Sequence, residues 1–286
     1  MVTARVARAL TATAVAVALA SCSTADPSAD AGAAAAPVPT AATAGPAAGF
    51  VALGDSFTAG PGIGLLQVES GFCQRSQESW PQLLAGQLGR DVVDLSCAGA
   101  TSGDLESTVA GGALGPSTDL VTVGAGGNDG GLFLALLRAC SRDRSDCRSF
   151  VEQRAPEILD RTADDLATLL ASIREAAPAA DVLLVGYLRI LPDAGTCAAV
   201  GIGADNADAV RTAEEALDRT LTEAARDAGV TYVPVREASR GHDACAGDEA
   251  WTNGIRAADG DGITFHPRRV GMAAVADLVA SAVSPR

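Results

Sequence analysis

Residues 50–60, FVALGDSFTAG, decide how the chain folds. Four apolar residues, 50–53, read as a short buried strand that stops abruptly at Gly54, Asp55 and Ser56. A strand ending this way delivers polar groups at its tip. In open α/β sheets, ligand sites form at the carboxyl ends of the strands.

Further apolar, β-branched runs at 92–95, 120–123, 182–185 and 230–235 also read as strands. Helix-like stretches at 79–88, 132–139, 151–176, 206–228 and 268–283 lie between and after them. Strands alternating with helices imply a parallel sheet covered on both faces. The expected fold is therefore a three-layer α/β/α sandwich with a central, mainly parallel sheet, in one domain over 49–286. The second strand runs into CAGATSGD (97–104) and the third into GAGGND (124–129), both rich in glycine and small polar residues. With the first strand's GDS they would line one crevice.

The chain has 286 residues and a net charge of −14. Such a surface repels phosphates, which argues against a nucleic-acid role. All 21 basic residues are arginine, so every lysine-based mechanism is excluded. Imidazole chemistry must use His242 or His266.

Arg5 and Arg8 precede an apolar stretch, 9–20, too short to span a bilayer and shaped like a signal-peptide core. It closes on LASC, ending at Cys22, which resembles a bacterial lipobox whose cysteine is acylated. Residues 1–21 are thus expected to be an export signal. Residues 22–48, dominated by Ala, Pro, Ser, Thr and Gly, are expected to form a tether. The product would be an exported protein, lipid-anchored through Cys22 at the outer face of the membrane or secreted. Beyond Cys22 the chain has Cys73, Cys97, Cys140, Cys147, Cys197 and Cys245. An even count in an exported chain argues for disulfides, and no C-x-x-C spacing suggests a metal site. Residues 140 and 147 are the most local candidate pair.

Four short motifs carry chemistry. Ser56 is a candidate nucleophile if a base takes its proton; Gly54-Asp55-Ser56 could equally be a strand followed by a helix cap. Gly99 offers a backbone N–H with no side chain above it, as an oxyanion hole needs. Asn128, in GGND, offers a carboxamide N–H to the same charge, or else closes an Asx turn. His266 stands just before Pro267, which would start the last helix, and is placed to serve Ser56 as general base. His242, near Cys245, reads as part of a disulfide-pinned loop.

Taken in order, Ser56, Gly99, Asn128 and His266 make the sequence resemble the SGNH (GDSL-type) hydrolases, which are named for those four residues. The likeness runs from about Gly49 to the end and is closest to the secreted actinobacterial lipase and esterase branch. GDSFTAGPG, CQRSQESWP, DLSCAGATSGDL, VTVGAGGNDGG, GHDAC with WTNGI, and FHPRRVG carry it. The resemblance implies Ser56 as nucleophile and His266 as base, with the Ser56 and Gly99 N–H groups and the Asn128 side chain as oxyanion hole. It also implies the pairs Cys73–Cys97, Cys140–Cys147 and Cys197–Cys245. One departure stands out. Many members have an aspartate three residues before the histidine, where this chain has Ile263. The Ile263 main-chain carbonyl or the Asp261 carboxylate is expected to orient His266, with the carbonyl preferred.

The reaction implied is hydrolysis of a small-molecule or lipid ester through an acyl-enzyme, with no metal or organic cofactor, and the enzyme is expected to be a monomer. Activity is expected to fall below roughly pH 6 to 7, as an ordinary imidazole protonates. Loops 62–79 and 191–205 are expected to set acyl-chain length, and Leu65, Leu66, Phe72, Phe133 and Leu134 are candidates for an acyl pocket or for core. A carbohydrate O-acetyl esterase and an inactive, lipid-anchored binding protein are the alternatives.

Overall fold

Every residue of β1 (Phe50–Gly54) is buried, as a strand covered on both faces requires. In the computed structural model, residues 49–141 and 144–283 are described; the signal over 1–21, Cys22 and the tether over 22–48 lie outside the described residues. With β1, strands β2 (Val92–Asp94), β3 (Leu120–Gly124), β4 (Asp181–Val185) and β5 (Thr231–Val233) form a sheet in the order β2-β1-β3-β4-β5. All four pairings are parallel. The last strand is shorter than the run at 230–235, because Pro234 has no N–H for the ladder and Val235 already starts a helix.

The helices are α1 (Ser56–Ala59), α2 (Trp80–Leu88), α3 (Ser102–Thr108), α4 (Leu132–Cys140), α5 (Cys147–Ser149), α6 (Ala155–Ala176), α7 (Ala204–Ala228), α8 (Val235–Ala238) and α9 (Arg269–Ala282). Side chains alternate across the sheet. Val51, Leu53, Val121 and Val123 enter one core with α3, α6 and α7, whereas Phe50, Ala52, Leu120 and Leu183 enter the other with α2 and α9. This is the expected three-layer α/β fold. In α6 the stripe Leu166, Leu169, Leu170 and Ile173 is fully buried at helical spacing; truncating one to Ala would cost roughly 2–5 kcal/mol.

Two helices differ from expectation. The stretch 151–176 is not one α-helix: a π turn, Phe150–Arg154, precedes α6, whose first turn holds Pro156. Proline has no N–H to continue the ladder backwards. Helix α3 was not expected, although Thr101 and Asp104 form a reciprocal capping box at its start.

Strand order 2-1-3-4-5 reverses direction between β1 and β3, so a crevice opens at their carboxyl ends. There Asp55 N–H donates to the Gly124 carbonyl at 2.9 Å. A Cβ on Gly54 or Gly124 would collide with the Thr58 hydroxyl, so both strand ends need glycine. Disulfides join Cys73–Cys97, Cys140–Cys147 and Cys197–Cys245, the pairing the resemblance implied. The longest closes a loop with sequence separation 48 and most restricts the unfolded chain.

Candidate active site

The Asp55 side chain caps α1 by accepting from the Phe57 N–H at 2.8 Å, which leaves Ser56 free at the first helical position. The segment before α9 brings His266 to it. A turn closes when His266 N–H donates to the Ile263 carbonyl at 3.1 Å, with Phe265 at φ 59. A bulky residue with positive φ is strained, and the fold holds it there.

Ser56 Oγ lies 2.8 Å from His266 Nε2, and both residues are buried. His266 Nδ1 lies 2.8 Å from the Thr264 carbonyl. A carbonyl only accepts, so Nδ1 carries the proton and the Nε2 lone pair faces Ser56. Burial lowers the His266 pKa, partly offset by the Thr264 bond, which favours the neutral base. Phe57 and Phe133 pack against the ring at 5.0 and 5.7 Å.

Both expected partners of His266 are corrected here. The Ile263 carbonyl is taken by the turn, and Thr264 supplies the orienting carbonyl instead. The Asp261 carboxylate accepts from Arg268 Nε at 2.9 Å and from the Arg269 N–H at 2.7 Å. It anchors the start of α9 rather than the histidine.

Gly99 occupies a turn at φ 86 with open space where a Cβ would be. Asn128 Nδ2 donates to the Ala100 carbonyl at 3.2 Å, which ties the two glycine-rich loops together. That bond uses one of the two N–H groups a carboxamide carries. The next residue, Asp129, accepts from the Ser102 N–H at 2.8 Å, a second tie between the same loops.

Tyr187, which no motif marks, joins the nucleophile loop to the Asn128 loop. Its hydroxyl donates to Asp55 Oδ2 at 2.6 Å and accepts from the Gly127 N–H at 2.8 Å. Burial pushes the Asp55 pKa up to about 7, against the lowering effect of the Tyr187 and Phe57 hydrogen bonds. The one sequence hint was the Asp in GDS: a carboxyl at a buried strand tip demands partners.

A cavity of about 70 Å³ opens beside Ser56 and Asn128, lined by Phe57, Leu132, Phe133, Leu136, Tyr187 and Leu217 among others. Of the five candidates for an acyl pocket or core, only Phe133 lines it; Leu65, Leu66, Phe72 and Leu134 are exposed. The walls come mainly from α4, α7 and residues 187–190, which follow β4, rather than from loops 62–79 and 191–205. His242 stacks on Trp251 at 4.2 Å, and its Nδ1 meets the Glu249 carbonyl at 2.8 Å. It takes no part in the Ser56 pair.

A model of the GDSL-like lipase/acylhydrolase family matches residues 52–274. Lipase 1 of Streptomyces coelicolor is 32% identical over 238 residues, covering 81% of this chain and 86% of the relative. Among solved structures, phospholipase A1 from Streptomyces albidoflavus NA297 aligns with TM-score 0.74 and 29% identity, covering 83% of this chain and 100% of the other. The extracellular lipase from Streptomyces rimosus aligns with TM-score 0.74 and 28% identity, covering 82% and 99%.

Proposed function

The chain belongs to the GDSL-like lipase/acylhydrolase family and is a carboxylic ester hydrolase, and from that premise we propose that Ser56 is its nucleophile and His266 its general base. The observation that carries this reading is the 2.8 Å contact between Ser56 Oγ and an Nε2 whose tautomer the Thr264 carbonyl sets.

In this reading Ser56 Oγ attacks the ester carbonyl carbon as its proton passes to Nε2. The Thr264 carbonyl stabilises the resulting imidazolium through Nδ1–H, the orienting task that a carboxylate performs in a Ser-His-Asp triad. The N–H groups of Ser56 and Gly99 and the second Asn128 amide N–H hold the oxyanion. Collapse returns the electron pair, breaks the C–O bond and expels the alcohol, which takes the proton from Nε2. Water then attacks acyl-Ser56 with His266 again as base, and the acid leaves. Water-poor aromatic walls around the imidazole strengthen each of these electrostatic contacts.

The apolar cavity beside Ser56 supports an ester with an aliphatic acyl group as substrate, with the chain lying against Phe133, Leu136 and Leu217. The extracellular location of the Streptomyces rimosus lipase and the basic-then-apolar N-terminus of this chain support its export. Acylation of Cys22 would then tether the enzyme to the outer face of the membrane. Initial rates on p-nitrophenyl esters from acetate to palmitate test the reading. Ser56→Ala is expected to lower kcat by roughly 10⁴-fold or more; equal rates in the two proteins would overturn it.

A further inference from the structure

The loop between α1 and α2 places apolar side chains where a soluble protein rarely keeps them. Four of the nine exposed large apolar residues among the described ones lie within 65–72. Phe72 is 98% exposed, Val68 94% and Leu65 71%. The surrounding stretch 60–74 carries a single ionisable side chain, Glu69. Scattered exposed apolar residues are ordinary, but a concentrated and nearly uncharged group marks an interaction surface.

This group is held in place rather than loose. Ser76 Oγ donates to the Ile63 carbonyl at 2.8 Å, and the Gln77 N–H donates to the Leu65 carbonyl at 2.9 Å. The Cys73–Cys97 disulfide and the Ala98 N–H to Cys73 carbonyl bond fasten it to the loop that carries Gly99. On the other side Gly64 N–H donates to the Gly260 carbonyl and Gly262 N–H to the Gly62 carbonyl, next to the His266 turn. The apolar loop is therefore continuous with the segments that bear Ser56, Gly99 and His266. Because it is already ordered, covering it costs little conformational entropy.

The choice of partner follows from size and charge. Four side chains fall short of the roughly 800 Å² per partner that a stable protein interface buries, which disfavours a second copy of the chain. A net charge of −14 disfavours an anionic bilayer. We propose that residues 65–72 dock on a zwitterionic lipid surface, inserting Leu65, Val68 and Phe72, so that the adjacent site draws its ester from that surface. The proposal names the partner of the site assigned above and rests on the esterase reading for its purpose, while its measurement does not need catalysis.

The test compares Cys22→Ala protein, in which no acyl anchor can contribute, with the same protein carrying Leu65→Ser, Val68→Ser and Phe72→Ser. Co-sedimentation with dioleoylphosphatidylcholine vesicles is expected to fall on the order of 100-fold in the triple variant. Its kcat/KM on monomeric p-nitrophenyl butyrate is expected to stay within about two-fold, since exposed side chains contribute little to the fold. Phe72→Trp is expected to give a blue-shifted emission on the same vesicles. Equal sedimentation of the two proteins, tighter binding to anionic than to zwitterionic vesicles, or a concentration-dependent dimer abolished by the triple substitution would each overturn the proposal. Absence of any soluble-ester hydrolysis by the Cys22→Ala protein would instead strike the esterase reading, and sedimentation would still decide the docking one.

Discussion

The chain's two histidines sit in surroundings that match locally and diverge beyond. His242 and His266 each have Nδ1 2.8 Å from a main-chain carbonyl, that of Glu249 in one case and Thr264 in the other. Each also packs against an aromatic ring, Trp251 or Phe57. The carbonyl sets the same tautomer in both, leaving Nε2 as the acceptor. What differs is the neighbour of that nitrogen. His266 Nε2 meets Ser56, 210 residues away in sequence and buried with it. A tautomer is therefore a property of a few adjacent residues, whereas a nucleophile–base pair is a property of the sheet that delivers both partners.

Replacing each histidine breaks the comparison most sharply. His266→Ala is expected to lower kcat/KM by roughly 10⁴-fold or more, while His242→Ala leaves it within about two-fold and lowers stability by about 1 kcal/mol through the lost stack. Steady-state kinetics beside a thermal melt reads both; a comparable kinetic loss in His242→Ala would erase the distinction. Next in size, Asn128→Ala is expected to cost on the order of 10²-fold to 10³-fold in kcat with little change in KM. A rise in KM alone would mean that Asn128 binds ground state and transition state alike.

The pH profile sharpens the contrast between a buried base and an ordinary imidazole. Burial lowers the His266 pKa, so the acid limb of kcat/KM is expected below the pH of about 6.5 at which a free imidazole titrates. Asp55 gives a separate effect on stability. Its pKa is raised in the fold, so the stabilisation it lends is complete below about 4 and is lost as pH rises through about 7. Asp55→Asn is accordingly expected to gain several degrees of Tm relative to wild type between pH 5 and pH 8; a parallel pair of Tm curves would refute this assignment. Smallest of all, Asp261→Asn is expected to keep kcat within a few-fold, since its carboxylate serves Arg268 and the Arg269 N–H. A loss near 10⁴-fold would show that it orients His266 after all.

Much of the fold was readable because buried parallel strands are short, apolar and bounded by small residues. All five runs coincide with strands of the sheet, although Pro234 shortened the last. Helix α3 escaped because seven residues with an internal glycine show little periodicity, even though Thr101 and Asp104 mark its start. In the candidate site, the resemblance brought forward Ser56, Gly99, Asn128 and His266, and the fold gathers these residues at one end of the sheet. The orienting carbonyl was placed one residue too early, because a positive φ at Phe265 cannot be foreseen in a non-glycine residue. Tyr187 and Asp129 were missed for a different reason. Their partners Asp55, Gly127 and Ser102 lie 132, 60 and 27 positions away.

By itself the sequence determined the alternation of strands and helices, the small-residue strand tips and the chemistry available there: a serine, two histidines and no lysine. Hydrophobic periodicity and glycine placement act over a few residues, so they can be read along the chain. Only the tertiary structure decided which carbonyl holds His266, that Tyr187 bridges Asp55 to Gly127, and that Phe133 rather than Phe72 faces the cavity. Those choices depend on distances across the parallel sheet and its crossover helices, and packing sets such distances between residues far apart in sequence.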